Sequence, residues 1–394
     1  MRRFVLFSVA GLALAWTTAA GAQGLTMQMG NGWTFSFAGN VNMFGMYQDQ
    51  KSSGEVDSPG ALTGVGDKGF FFGTGLLPAF ATFEAKGKEG STDLAVHFGF
   101  APQVQCGGRN HDCFGAQIDM RQVYLTAGGS WGQILAGKEL GLFNRQNILN
   151  DQTLFGVGAT GIAPGGTTLG RIGFGYIYPN FVAQLTYSTV GGKPGQFSIG
   201  LFDPSAFGPY TQLKTPRIEA EATYKKDEWQ LFANGTLQNG RDPAGDRSKT
   251  AVGGGAGLRY TSSGFSAHGS GYYGSGIGTT LQFNGVGSGS FFDVATDGEG
   301  NLRDSYGYFG QLTYTTGKAT LAGSYGSSYL KSTSSEDRFK TENSLVSGGV
   351  YYQATKSLKL VWEMNYQWSD DKDSPLNPTK NKAWTGAFGL MLFY

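Results

Sequence analysis

Once the amino terminus is set aside, no apolar run in this 394-residue chain approaches the roughly 18 to 20 residues that a membrane-spanning helix needs. A helical membrane protein is thereby excluded. Apolar residues at the 3.6-residue period of an amphipathic helix are missing as well, although a soluble domain this long would usually show some. Charged residues make up only 15% of the chain and their signs nearly balance, so the clearly basic face that nucleic acid requires is absent. Cysteine is confined to Cys106 and Cys113.

What fills the chain instead is glycine, phenylalanine and tyrosine (65, 29 and 19 residues), with Thr and Ser, arranged at period two. That is the composition of an all-β protein. The amino terminus reads as an export signal: Arg2 and Arg3 precede the apolar run from Phe4 to Ala15, and Ala20-Gly21-Ala22 fits a small-x-small cleavage site. Residues 1–22 are expected to be removed, through the Sec pathway, leaving 23–394. Loss of Arg2 and Arg3 takes Lys+Arg from 30 to 28 against 29 Asp+Glu, a net charge of −1. In an exported chain, Cys106 and Cys113 within QCGGRNHDC read as one local disulfide rather than a metal site, because His111 and Asp112 lack the spaced pairs of zinc motifs.

The rest parses into hairpins. From Trp33 to Tyr47, Trp33, Phe35, Phe37, Val41, Met43 and Tyr47 fall on one face and Thr34, Ser36, Asn40 and Asn42 on the other. In Ser357 to Trp368, Leu358, Leu360, Trp362, Met364, Tyr366 and Trp368 oppose Lys359, Glu363, Asn365 and Gln367. A second strand is expected from Leu77 to Lys86, and a long loop between Trp229 to Gln238 and Thr250 to Tyr260. The count comes to sixteen strands, with short turns alternating with long polar loops and both termini on the short-turn side. This is the signature of an outer-membrane barrel. Tyr and Trp gather at strand ends, as interfacial girdles require. A cation at the lipid midplane costs about 2 to 4 kcal/mol, so Arg217, Arg259 and Lys359 are expected to face a water-filled interior. Residues 170–180 read either as a strand or as the end of a loop; an even count favours the loop.

With these patterns in view, MRQVYLTAGGSWGQILAGKELGLFNR resembles the fourth and fifth strands of the general porins of Gram-negative outer membranes, running into their long third loop. The family's glycine-arginine-glutamine appears as Gly137-Lys138-Glu139. WTGAFGLMLFY resembles its terminal assembly signal, with Phe388, Leu390, Leu392 and, in place of the commoner Phe, Tyr394. The resemblance implies a 16-stranded antiparallel transmembrane β-barrel, usually trimeric, whose third extracellular loop (about 139–180) folds into the lumen. It implies a constriction formed by Lys138, Glu139, Arg145, Asp151 and Arg171, facing a wall that carries Arg121, Arg217, Glu219, Glu221, Arg259 and Glu363. Its partners would be outer-membrane lipid and lipopolysaccharide, two further copies of the chain, the barrel-assembly machinery and small hydrophilic solutes. The loop is poor in acid and rich in Asn, Gln, Thr and Gly, which suggests a weakly selective, neutral eyelet and resembles the short-chain amide and urea porins.

Other readings are weaker on the residues. Glu219, Glu221 and Glu363 read as wall carboxylates rather than catalytic acids. His97, His111 and His268 assemble no nucleophile, base and orienting group, so no enzyme is expected. Asp370, Asp371 and Asp373, and Asp297 to Asn301, do not match a calcium loop, and no cofactor or metal is expected. Gly253 to Gly257 leads into no helix and is not a phosphate loop. A barrel enzyme of the lipase or protease type, with nearer ten or twelve strands, and an adhesin or receptor barrel remain the alternatives to a diffusion pore.

Overall fold

The structure is a computed structural model that describes residues 24–52, 62, 69–104, 118–160, 167–282, 294–373 and 380–394. The signal-peptide and cysteine-pair expectations lie outside the described residues.

Eighteen extended segments are present: β1 Leu25–Gln28, β2 Thr34–Ser52, β3 Gly69–Gly73, β4 Phe80–Glu89, β5 Thr92–Pro102, β6 Ile118–Gly129, β7 Gly132–Leu140, β8 Phe181–Ser188, β9 Gly195–Phe202, β10 Arg217–Lys226, β11 Trp229–Asp242, β12 Arg247–Ser262, β13 Phe265–Ser275, β14 Asp304–Thr316, β15 Ala319–Lys331, β16 Lys340–Gln353, β17 Leu358–Asp371 and β18 Lys380–Phe393. Each pairs antiparallel with its neighbours, and β18 returns to pair with β2. Two pairs of segments share a wall position. β1 pairs with Thr34–Phe37 of β2 while β18 pairs with the stretch above it, so β1 prolongs the line of β18. β3 and β4 pair with the upper and lower parts of β2. Eighteen segments therefore make a closed barrel of sixteen positions. Pairing of β18 with β2 closes the sheet on itself, so the long strands of the wall are not left with an open edge.

Alternation supplies the two faces. On β17, Trp362 and Met364 are 45% and 57% exposed, whereas Glu363 and Asn365 are 2% and 1%. On β18, Trp384, Phe388, Leu390 and Leu392 all lie on the exposed outer side, and Tyr394 continues the chain beside Phe37, its backbone bonded to Gly39.

Two strand boundaries differ from the sequence reading. The second wall strand already begins at Gly69 and is interrupted at residues 74–79, not preceded by loop as far as Leu77. The interruption is possible because inward side chains of β2 take over the missing ladder: Gly75 N–H donates to Asn42 Oδ1 (3.0 Å), Asn42 Nδ2 donates to Leu77 O (3.0 Å) and Asn40 Nδ2 to Pro78 O (3.2 Å). Pro78 could not have donated to a ladder in any case. Second, β11 and β12 run on to Asp242 and back from Arg247, so the long loop expected between them is a tight turn at 243–246.

Candidate functional site

The longest described connection joins β7 to β8. It is closed at its base by the Gly141 N–H donating to Asn180 O (2.8 Å). Asn180 adopts a left-handed conformation (φ 55°), as does Asn144 (φ 63°) at the start of a single-turn helix α1, Arg145–Asn150. Asn tolerates that region better than other non-glycine residues. A 3₁₀ turn, Gln152–Phe155, follows.

Carboxylates of the wall hold the backbone of this connection. Glu219 Oε2 on β10 accepts from the N–H groups of Leu142 (2.7 Å) and Phe143 (3.0 Å), and Glu219 Oε1 lies 3.0 Å from Arg217 Nε. Glu363 Oε1 on β17 accepts from Val157 (3.1 Å) and Gly158 (2.5 Å), while Tyr351 Oη and Asn365 Nδ2 donate to the same carboxylate (2.7 Å each). Neutral groups fill the interval: Asn234 Oδ1 accepts from Asn144 N–H (3.2 Å), Gln311 Oε1 from Gln152 N–H (2.7 Å), and Gln367 Oε1 from Thr160 N–H (3.0 Å). Each anchor stands on the buried side of its strand. A charged acceptor makes such a bond stronger than a neutral one, about 1.5–3 kcal/mol.

Glycine is required where the connection folds back on itself. Gly158 and Gly170 both have positive φ (58° and 57°), and a Cβ on Gly158 would lie 2.5 Å from Gly170 Cα. Beside this crossing Asp151 accepts from Thr153 N–H (2.9 Å), Thr153 Oγ1 (2.7 Å) and Tyr176 Oη (2.8 Å), with Arg171 Nε at 3.9 Å. Arg171 is wholly buried and donates to Leu345 O (3.0 Å) and Ser324 Oγ (2.5 Å).

The opposite side of the connection is apolar. Leu140, Ile148, Leu154, Leu169 and Ile172 face Leu76, Leu77, Phe80 and Phe100 around a cavity of about 150 Å³. The wall interruption brings its leucines here, and Leu76 N–H donates to Gly156 O (3.0 Å).

The residues singled out from sequence are distributed as follows. Arg145 reaches Glu221 (2.6 Å), and Arg171 lies beside Asp151. Glu139 is buried, accepting from Gln122 Nε2 (2.8 Å) and Leu140 N–H (2.7 Å). Lys138 is not brought into this group: it shares its strand side with the exposed Ile134, and its Nζ donates to Met120 O (2.7 Å). Arg121 stands at a β-bulge, where Gln122 pairs with Gly99 and Met120 with Phe100, and lines the cavity edge with its guanidinium on Asp119 (2.8 Å). Arg217 lies under Phe202 (5.5 Å to the ring centroid), and Arg259 donates to Asn150 Oδ1 (3.0 Å) and Ser266 Oγ (2.9 Å). The neutral anchors Asn40, Asn42, Asn234, Gln311 and Gln367 went unassigned in the sequence, although alternation places Asn40, Asn42 and Gln367 on the polar face.

In the loop that follows β13, Asp297 accepts from Glu299 N–H, Asn301 N–H and Nδ2, Thr333 Oγ1 and Ser335 Oγ. Burial opposes its ionisation, but the bonds from Ser335, Thr333 and Asn301 outweigh burial and hold its carboxyl well below the usual range. Its oxygens hold this loop together and tie it to the connection between β15 and β16, which carries Thr333 and Ser335. No cluster able to hold a metal ion occurs among the described residues.

No family model matches this sequence, and no curated protein matches it. Solved structures do. The outer membrane channel DcaP of Acinetobacter baumannii is 14% identical, with 93% of this chain and 99% of that chain covered at a TM-score of 0.66. An anion-selective porin from Comamonas acidovorans is 13% identical over 92% and 100% of the two chains (TM-score 0.61), and Salmonella typhi OmpF in complex with daunomycin 12% over 93% and 100% (TM-score 0.58). At these identities the likeness establishes the fold: a closed, sixteen-stranded antiparallel barrel of porin type.

Proposed function

We propose that the chain is an outer-membrane porin, a water-filled channel for passive diffusion of small hydrophilic solutes, with the 139–180 region setting its narrowest part. The observation that carries this reading is the pair of carboxylate anchors. Glu219 and Glu363 stand on β10 and β17, seven wall positions apart out of sixteen, and both bind backbone N–H groups of one connection. A segment tied at two such distant points crosses the interior and narrows it. In this reading long loops face outward, the apolar girdle meets lipid and lipopolysaccharide, the export signal is cleaved after Ala22, and the last strand is read by the barrel-assembly machinery. A homotrimer fits the porin fold.

A catalytic role has less support. His268 Nε2 comes within 3.3 Å of Ser270 Oγ, but its ring lies between Phe232 and Phe309, and its Nδ1 meets no carboxylate among the described residues. The orienting group that such a pair needs is missing from that site.

Single-channel recording in a planar bilayer tests the proposal. The purified, folded chain should give stable conductance steps; their absence would sink the channel. Deleting Asn147 to Thr160 should raise the step size while assembly persists, and an unchanged step would place this segment outside the solute path.

A further inference from the structure

Resting on the channel reading, we infer that the lumen prefers small anions, and that Arg259 and Lys359 are the residues that make it do so. The inward charges beside the 139–180 connection divide into two sets. Glu139, Glu219, Glu221 and Glu363 are all buried, and their oxygens are occupied by N–H groups of Leu140, Leu142, Phe143, Val157 and Gly158 or by Arg145 and Arg217. Asp151 lies beside Arg171. A carboxylate covered by donors presents no free acceptor to a passing cation, and the donor dipoles offset its field.

Two cations in contact with the connection differ. Arg259 and Lys359 are only half-buried, and no carboxylate among the described residues lies within ion-pair distance of either. Both stand on the inward side of their strands, opposite in phase to the exposed Leu258 and Trp362. Both are near the short-turn end: β12 ends at Ser262 and β17 begins at Leu358. The partners of Arg259 are neutral, Ser266 and Asn150. Lys359 Nζ sits 3.7 Å from the centroid of Phe155 and 5.9 Å from that of Phe393, an attraction that positions the ammonium without cancelling its charge. Lys86, in the same half of the barrel, is balanced by Glu84 (2.6 Å). Asn150 precedes the 3₁₀ turn and Phe155 is its last residue, so the two cations stand at either end of this short stretch of the connection. An anion such as chloride or a short carboxylate meets a positive group at each end of that stretch, and a cation meets repulsion at both.

The test is the reversal potential of the full chain in a planar bilayer under a potassium chloride gradient. Its sign should follow chloride. A sign that follows potassium overturns the inference and leaves the channel standing, whereas absence of any conductance step defeats the channel itself. In the double variant Arg259→Gln, Lys359→Gln the chloride-to-potassium permeability ratio should fall to about one; a folded, conducting double variant with unchanged preference would remove the assignment to these residues. The unaltered protein gives an independent check should that variant fail to fold. Replacing chloride by the bulkier acetate should lower conductance more than replacing potassium by lithium, and the reverse order overturns the inference.

Discussion

The connection between β7 and β8 meets the barrel in two chemically different ways. Along β10 to β17 it offers backbone N–H groups to Glu219, Gln311 and Glu363, one after another. Toward the interrupted β3 and β4 it offers Leu140, Ile148 and Leu154 to Leu76, Leu77 and Phe80, across a cavity. Hydrogen bonds are directional and hold one register; apolar contact is not, and tolerates a gap. The difference teaches that position is fixed on the polar side and that the apolar side adds burial. Substitutions on the two sides should therefore have separable effects on how the connection sits and on how stable the barrel is.

Glu219→Ala should have the largest effect. It removes the acceptor from two buried N–H groups and the carboxylate from a buried ion pair with Arg217, a change that typically costs about 3–5 kcal/mol. The midpoint of urea unfolding in detergent should fall, and open-channel noise should rise as the start of the connection loosens. A quiet channel with an unchanged midpoint would refute the anchoring role. Leu154→Ala should cost somewhat less, toward the low end of about 2–5 kcal/mol, because a void already adjoins the side chain and fewer contacts are lost. Its midpoint should fall without added noise. If instead Leu154→Ala is the noisy variant and Glu219→Ala the quiet one, the roles of the two sides are reversed.

The wall was legible in the sequence because period two is a strong signal: Trp362 and Met364 against Glu363 and Asn365 identify inside and outside without further information. The same alternation places Lys138 and Glu139 on opposite faces, so a constriction containing both was never compatible with one strand. Arg121 was harder, since a bulge changes the phase of a strand and leaves no mark in composition. The interruption at 74–79 was not legible, because it depends on which side chains of β2 stand beside it; Asn40 and Asn42 looked like ordinary lumen residues until their partners proved to be backbone groups. The anchors of the connection were hidden for a similar reason. Glu363 lies some two hundred residues from Gly158 (sequence separation 205), and only closure of the barrel brings them together.

Tyr176→Phe probes the crossing at which the polar and apolar sides meet, and its effect should be the smallest. The phenol Oη donates to Asp151 (2.8 Å), while its ring packs against Phe309 (5.8 Å between centroids). Phenylalanine keeps the ring and removes one donor. Asp151 retains Thr153 N–H, Thr153 Oγ1 and the nearby Arg171, so the carboxylate does not become an orphan. The cost should be that of one hydrogen bond to a charged group, softened by the partners that remain, about 1 kcal/mol. The unfolding midpoint should shift slightly and the conductance step stay the same. A loss as large as that of Glu219→Ala would mean that the crossing, rather than the two wall carboxylates, holds the connection in place.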